Sequence, residues 1–352
     1  MSRRPRTIMP LSSQPVSDAP PLTLLAPPPV SEVLTRIRGT ARLESVGAVS
    51  ELTFQAMGTR CRVSFADPGS ARPVADAVLG WIATFEARYS RFLPTSWISQ
   101  INAHSGGGWI ALDPEASQLL ALCGQLVYLS RGLLDPSALP LVRIWDWKSA
   151  RIPSDAEIAD ARTRVGWTRI QLAPGRIRLP MSGMAIDLGG VGKEFAVDQV
   201  ILLLASLGVR SALVDFGADI RVLGLPTDGR PAWKIGLEDP KSPGQPWNHL
   251  ILREGAVATS GDYLRGFTQG GRRFGHILDP RTGRPVDNGV LAASVMAPSC
   301  TQAGMLSTAL CVLGPDEGRR LLAATPGVEG CILTSQGMVT SPRFYEHVSQ
   351  AV

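Results

Sequence analysis

AIDLGGVGKEFAVDQV (Ala185–Val200) runs from a short apolar entry, Met184 to Ile186, through Asp187 into three glycines within four positions: Gly189, Gly190 and Gly192. Lys193 follows, and then a helical pattern carried by Phe195, Val197, Val200, Ile201 and Leu204. Strand, glycine turn and helix start in that order make an anion cradle. Glycine lets backbone approach a phosphate, and a helix N-terminus offers unpaired N–H groups and a partial positive charge. Lys193 in the first turn opposes the helix dipole, which makes sense where an anion lies beside it. The spacing matches neither GxxxxGK[ST] nor GxGxxG, so a plain strand-to-helix turn stays open as the alternative.

Outward from this stretch, 352 residues with 44% hydrophobic and 18% charged side chains give room for one large domain or two small ones. The net charge of +5 is spread along the chain, apart from the basic spot at Met1–Arg6, and forms no nucleic-acid stripe. The five cysteines, Cys61, Cys123, Cys300, Cys311 and Cys331, show neither CxxC nor zinc spacing and read as buried thiols of a reducing compartment. The apolar run Val200–Ala205 is far too short to span a bilayer.

Met1–Pro29 holds eight prolines and several serines, and is expected to be a disordered leader. Ser31 is placed to cap a short helix, so residues 1–48 are assigned as leader plus helix and 49–345 as the folded domain. Phe54–Phe65 predicts strand, turn and strand. Val74, Ala77, Val78, Trp81, Ile82 and Phe85 predict an amphipathic helix over Arg72–Arg88. Tyr89–Asn102 reads as a hydroxyl-rich loop, and Glu115–Arg131 and Ser154–Val165 as helices. The cradle helix stops at Gly208. Strands are expected within Ser211–Gly224, Trp233–Pro240, His249–Tyr263, His276–Val286, Ala292–Met296 and Gly330–Thr334. A small-residue helix covers Thr301–Leu313, and Asp316 is placed to cap the last helix. Without regular βαβ alternation, the class is α+β.

Eight motifs then stand in one order: MGT from Met57, SRFLPTSWISQIN, DPSALPLVRIW, DLGGVGK, DFGADIRVLG, ATSGDYLR, HILDPRTGRPV and STAL. Together they resemble the ApbE family over roughly Phe54 to Thr340. The resemblance implies mixed sheets with packed helices in a single large domain. It also implies transfer of FMN from FAD to a Thr or Ser hydroxyl of an acceptor protein, with release of AMP and help from Mg²⁺. By that resemblance Met57, Phe92, Leu134, Asp135, Asp187, Lys193 and Leu278 line the cofactor pocket, and His276 and Lys193 are catalytic. The carbonyl of Gly190 and the hydroxyls of Ser307 and Thr308 hold the metal. Structural alternatives remain beside these: Asp135 and Asp279-Pro280 are turn formers in their own right, and His276 suits a turn as well. Tyr89, Phe92, Trp145 and Trp147 suit a core, and Asp215 and Asp219 read as solvated edge positions.

The chain departs from the family pattern at four places. Gly304 stands where the family has a metal-binding Asp, Glu194 where it has a glycine, Gly275 where it often has Ser or His, and Ala218 where it has a second glycine. On this basis Gly304→Asp is expected to preserve or increase transfer. The alternative function is a flavin-binding, transfer-inactive homologue that acts as flavin donor or assembly factor, and a flavin-free structural partner is a third. The implied partner is an acceptor flavoprotein subunit, with no nucleic acid and no membrane span. No Ser/Thr-Gly-Ala-Thr acceptor motif occurs in the chain itself. The leader has neither a continuous apolar core nor a cysteine, which favours the cytoplasm.

Overall fold

Alternation of apolar and polar residues builds the centre of the molecule. In the computed structural model, which describes residues 20–66, 69–261, 263 and 265–349, nine strands pair antiparallel in chain order. They are Arg42–Val46, Val49–Ala56, Thr59–Ala66, Ala212–Phe216, Asp219–Leu223, Ala256–Gly261, Val290–Ala297, Glu329–Thr334 and Met338–Thr340. Leu52, Phe54, Cys61, Val63 and Phe65 point to one buried face, as a period of two requires.

Nine helices accompany the sheet among the described residues: α1 (Val30–Arg38), α2 (Ala71–Tyr89), α3 (Trp97–Ala103), α4 (Pro114–Leu129), α5 (Leu139–Ile144), α6 (Asp155–Thr163), α7 (Gly192–Ser206), α8 (Cys300–Leu313) and α9 (Pro315–Ala323). α2, α7 and α8 cover one face of the sheet through the main core, which includes Val78, Ile82, Val197, Val200, Ala303 and Leu310. The hairpin of Trp233–Asp239 with Ser242–Leu252 covers the other face, packing Trp233, Ile235 and Leu250 against Leu213, Val222 and Val257. A third cluster, with Trp145, Trp147 and Phe274, joins α5 and α6 to the segment around His276. The result is the expected α+β class, and all five cysteines are buried.

Local chemistry differs from expectation at several points. Ser31 lies inside α1, which starts at Val30 after Pro29. Residues 30–48, grouped by sequence with the leader, bury Val33 and Ile37 and supply the first strand. The leader prediction for residues 1–19 lies outside the described residues. From residue 20 on the chain is held to the domain, since Leu22 pairs with Ile110 and the backbone of Leu25 bonds the Gln100 side chain. The predicted loop at Tyr89–Asn102 contains α3, capped by Ser96, whose Oγ accepts from Ser99 N at 3.1 Å. α9 starts from Gly314 and Pro315, which leaves Asp316 in the first turn, where its charge suits the dipole. Among the described residues no helix is long and apolar enough to cross a membrane.

Candidate active site

Two tight turns place the site at one end of the sheet. Met57 (φ 51°) and Gly58 (φ 72°) close the hairpin of Val49–Ala56 with Thr59–Ala66. Gly217 (φ 69°) and Ala218 (φ 72°) close the hairpin of Ala212–Phe216 with Asp219–Leu223. Ala218 holds a left-handed conformation that disfavours any side chain, and so occupies a position suited to glycine. A Cβ on Gly217 would lie 2.3 Å from Thr59 Oγ1, so the two turns touch.

The second turn delivers Asp219 under the N-terminus of α7. Asp219 is 3% exposed, not a solvated edge residue, and its Oδ2 accepts from Lys193 Nζ. Burial alone would lower the Lys193 ammonium, but the carboxylates of Asp219 and Glu194 outweigh it and hold the group protonated, above its ordinary value. Lys193 thus enters the first turn of α7 with its charge locally balanced and its side chain still partly open to solvent. No side chain caps α7, whose N-cap is Val191. Gly192 N donates to the Leu188 carbonyl at 2.6 Å, and an anion at the glycine turn would lie beside the next N–H groups of this helix start.

The glycines of the cradle are packed by side chains of the chain itself. A Cβ on Gly190 would meet Leu134 Cδ1 at 2.9 Å, so the buried Leu134 sets the floor beneath it. Asp187 accepts from Gly189 N at 3.0 Å and from Arg91 Nε at 2.9 Å. Burial raises its carboxyl against the pull of Arg91 and that N–H. Arg91 also lies 4.2 Å from the ring centroid of Phe92. Phe92 itself is 77% exposed, so it is a surface plate beside the cradle and not a wall of a closed pocket. Asp135 serves its own loop: Oδ1 accepts from Ser137 N and Oγ at 2.8 and 2.6 Å, and Oδ2 from Trp167 N at 3.2 Å.

Across from α7, α8 brings up Ser307 and Thr308. Ser260 Oγ lies 2.7 Å from Ser307 Oγ and 3.0 Å from Thr308 Oγ1. Glu194 points from α7 into the same helix pair, against Gly304. Its carboxyl is pushed up to about 7, by burial first and then by Asp219, against the opposing effect of Lys193. Asp198, four residues on and on the same face of α7, accepts from Cys300 N, Thr301 N and Thr301 Oγ1 and pairs with Arg221 at 2.7 Å.

His276 leaves the hairpin Gly266–Gln269/Arg272–Gly275 half-buried, with Nδ1 buried and unpartnered among the described residues. Burial first, then the charges of Arg265, Arg273 and Lys193, lower its pKa to about 4. Its imidazole is therefore neutral at physiological pH. The folded state resists protonating it, so stability is expected to fall as pH drops from the ordinary His value toward 4. Melting curves of His276→Gln should lose that part of the acid slope, and an unchanged slope would remove this assignment. Leu278 is half-buried against the third cluster. Asp279 is committed to a turn, accepting from Arg281 N, Nε and Nη2 at 2.8–3.1 Å.

Asp219 and Asp198 were the residues missed from sequence, and only burial distinguishes them from surface acids. Among the described residues no group of three or more His, Cys, Asp or Glu is placed to hold a metal. The oxygen donors that α7 and α8 bring to this helix pair are the Glu194 carboxylate, packed against Gly304, and the hydroxyls of Ser307 and Thr308. An orphaned buried carboxylate oxygen on the helix that packs against α8, which carries these hydroxyls, is a hard donor of the kind that suits Mg²⁺. A cavity of about 430 Å³ lies elsewhere, lined by Asp239, Lys241, Trp247, Leu333 and Met338, and includes none of these residues.

Comparison with known proteins identifies the family. The profile of the ApbE family matches residues 57–332. A FAD:protein FMN transferase of Treponema pallidum is 33% identical over 300 residues, covering 79% of this chain and 82% of the relative. One from Haemophilus influenzae is 28% identical over 308 residues, covering 83% and 89%. The crystal structure of the ApbE protein from Thermotoga maritima superposes with a TM-score of 0.79 at 30% identity, over 88% of this chain and all of that one. The flavin transferase ApbE from Vibrio cholerae gives 0.76 at 27% identity, over 87% of this chain and all of that one. On sequence, fold and the order of its site motifs, the chain belongs to the ApbE family.

Proposed function

We propose that this protein is a FAD:protein FMN transferase, with FAD as substrate and an acceptor protein as second substrate. The observation that carries this reading is the uncapped N-terminus of α7 behind the glycine turn, with Lys193 fixed beside it by Asp219. This arrangement suits a pyrophosphate: N–H groups and an ammonium converge where negative charge shifts as the P–O bond breaks. In the reaction, an acceptor Thr or Ser oxygen bonds the FMN-side phosphorus, the pyrophosphate P–O bond breaks, and AMP leaves. The hydroxyl proton needs a base, and His276, neutral near pH 7, is the residue assigned to take it. Lys193 balances charge on the phosphates. Asp187, Met57, Leu134, Phe92 and Leu278 border the space assigned to the flavin nucleotide, whereas Asp135 shapes the loop beneath it. Gly190, Ser307 and Thr308 would hold Mg²⁺, which supplies charge neutralisation at the phosphates when bound.

The test is the mass of an acceptor domain incubated with this protein, FAD and Mg²⁺, with and without chelator. The expected result is a gain of one FMN that chelator abolishes. No gain, with FAD still bound in a parallel fluorescence titration, would establish the flavin-holding alternative instead. Placement in the cytoplasm is part of the same proposal.

A further inference from the structure

Glu194 is an anomaly by the ordinary rules of burial. It is 6% exposed, and its Oε2 has no hydrogen-bond partner among the described residues. The adjacent ammonium, Lys193, is already taken by Asp219. Buried carboxylates are normally paired, hydrogen-bonded or bound to a metal. Where this one points is equally specific. An ideal Cβ built on Gly304 would lie 2.4 Å from Glu194 Cγ and 3.0 Å from both its Cδ and Oε1. The Glu194 side chain therefore fills the volume that a short side chain at position 304 would take. From the same turn of α8, Ser307 Oγ reaches the Gly304 carbonyl at 3.0 Å, and Ser307 and Thr308 both bond Ser260.

We propose that Glu194 is the carboxylate ligand of the divalent cation in this chain, supplied from α7 into the space that Gly304 leaves open on α8. The two departures from the family pattern are then one exchange. Glutamate stands on α7 and glycine faces it on α8, so the carboxylate enters from α7 the volume that a side chain at position 304 would occupy. The longer glutamate is required because it crosses the gap between the helices, and Gly304 is required because any Cβ there collides with it. On this proposal Glu194 must be displaced before an aspartate at position 304 fits, so Gly304→Asp alone is not expected to raise transfer.

This assignment rests on the transferase reading for the presence of an ion, yet it is tested without turnover. Mn²⁺ serves as the probe in place of Mg²⁺, with binding to the full chain followed by electron paramagnetic resonance and by titration calorimetry, with and without FAD. The wild type is expected to bind one ion in the presence of FAD, and binding should raise its melting temperature. Glu194→Gln keeps the shape and removes the charge, and should bind Mn²⁺ at least ten-fold more weakly and lose the ion-dependent rise in melting temperature. Gly304→Asp alone should melt lower than wild type. The double variant Glu194→Gly with Gly304→Asp should recover binding to within a few-fold of wild type. Wild-type affinity in folded Glu194→Gln, no ion bound by wild type, or a folded double variant that binds nothing would each overturn the proposal. Loss of FMN transfer with ion binding intact would instead count against the transferase reading alone.

Discussion

Lys193→Ala is expected to lower FMN transfer by about 10²–10³-fold, the usual effect of deleting one charge-stabilising group at a reacting phosphate or oxyanion. It should also cost about 3–5 kcal/mol of stability, because Asp219 would be left buried without its partner. The two losses have different origins and can be separated. In Lys193→Ala with Asp219→Ala the orphaned charge is gone, so most of the stability should return. Transfer should not return, because the ammonium that faces the cradle is still absent. Thermal melts and acceptor mass spectra on both variants measure this directly. Transfer that survives in the single variant, or that returns in the double, would mean that Lys193 serves only to neutralise Asp219. Because Lys193 is partly exposed while Asp219 is sealed, the carboxylate belongs to the protein's side of the pair and the ammonium to the ligand's side.

Why Lys193 was legible and Asp219 was not is a matter of range. Local patterns speak about neighbours: α2 shows its buried stripe of Val74, Val78, Ile82 and Phe85 directly in the sequence. The alternation through Val49–Ala66 likewise shows a half-buried hairpin, and Gly208 and Gly314 mark helix ends. α3 was hidden, since seven residues are too few to display a helical period. Asp215 and Asp219 flank the same turn and look alike in sequence. Strand pairing sends Asp215 out to Arg62, and the packing of α7 covers Asp219. Asp135 is the opposite case, since Ser137 in its own turn and Trp167 beyond it use both carboxylate oxygens, and its turn-forming residue type said as much of the first. Glu194 and Gly304 were each visible as departures from a pattern. That Glu194 could stand in for a carboxylate at Gly304 is a thought the sequence allows, but the direction of its side chain shows only in the contact between the two helices.

Asp198→Ala is expected to destabilise the fold by about 3–5 kcal/mol, as much as Lys193→Ala. The carboxylate joins α7 to α8. It accepts from the N–H groups of Cys300 and Thr301 at 2.9 Å each and from Thr301 Oγ1 at 2.7 Å, and it pairs with Arg221. Ser299 Oγ takes the next N–H of α8, from Gln302. Removing the carboxylate therefore strips two first-turn donors and a hydroxyl of their acceptor and leaves Arg221 half-buried without this partner. A negative charge at a helix N-terminus is also favourable in itself, so no neutral residue replaces it fully. Asp198→Asn should fail nearly as badly, because its amide would present N–H groups to donors. Arg221→Ala should cost much less, since the three bonds to α8 survive. The consequence for function follows from geometry: Glu194 and Asp198 share one face of α7, so the clamp at Asp198 fixes how Glu194 meets Gly304 and how near Ser307 and Thr308 stand. Melts of the three variants, together with their Mn²⁺ affinities, would show weakened ion binding in Asp198→Asn even below its melting temperature. Equal stabilities for Asp198→Asn and Arg221→Ala would show that the ion pair, and not the helix cap, carries the effect.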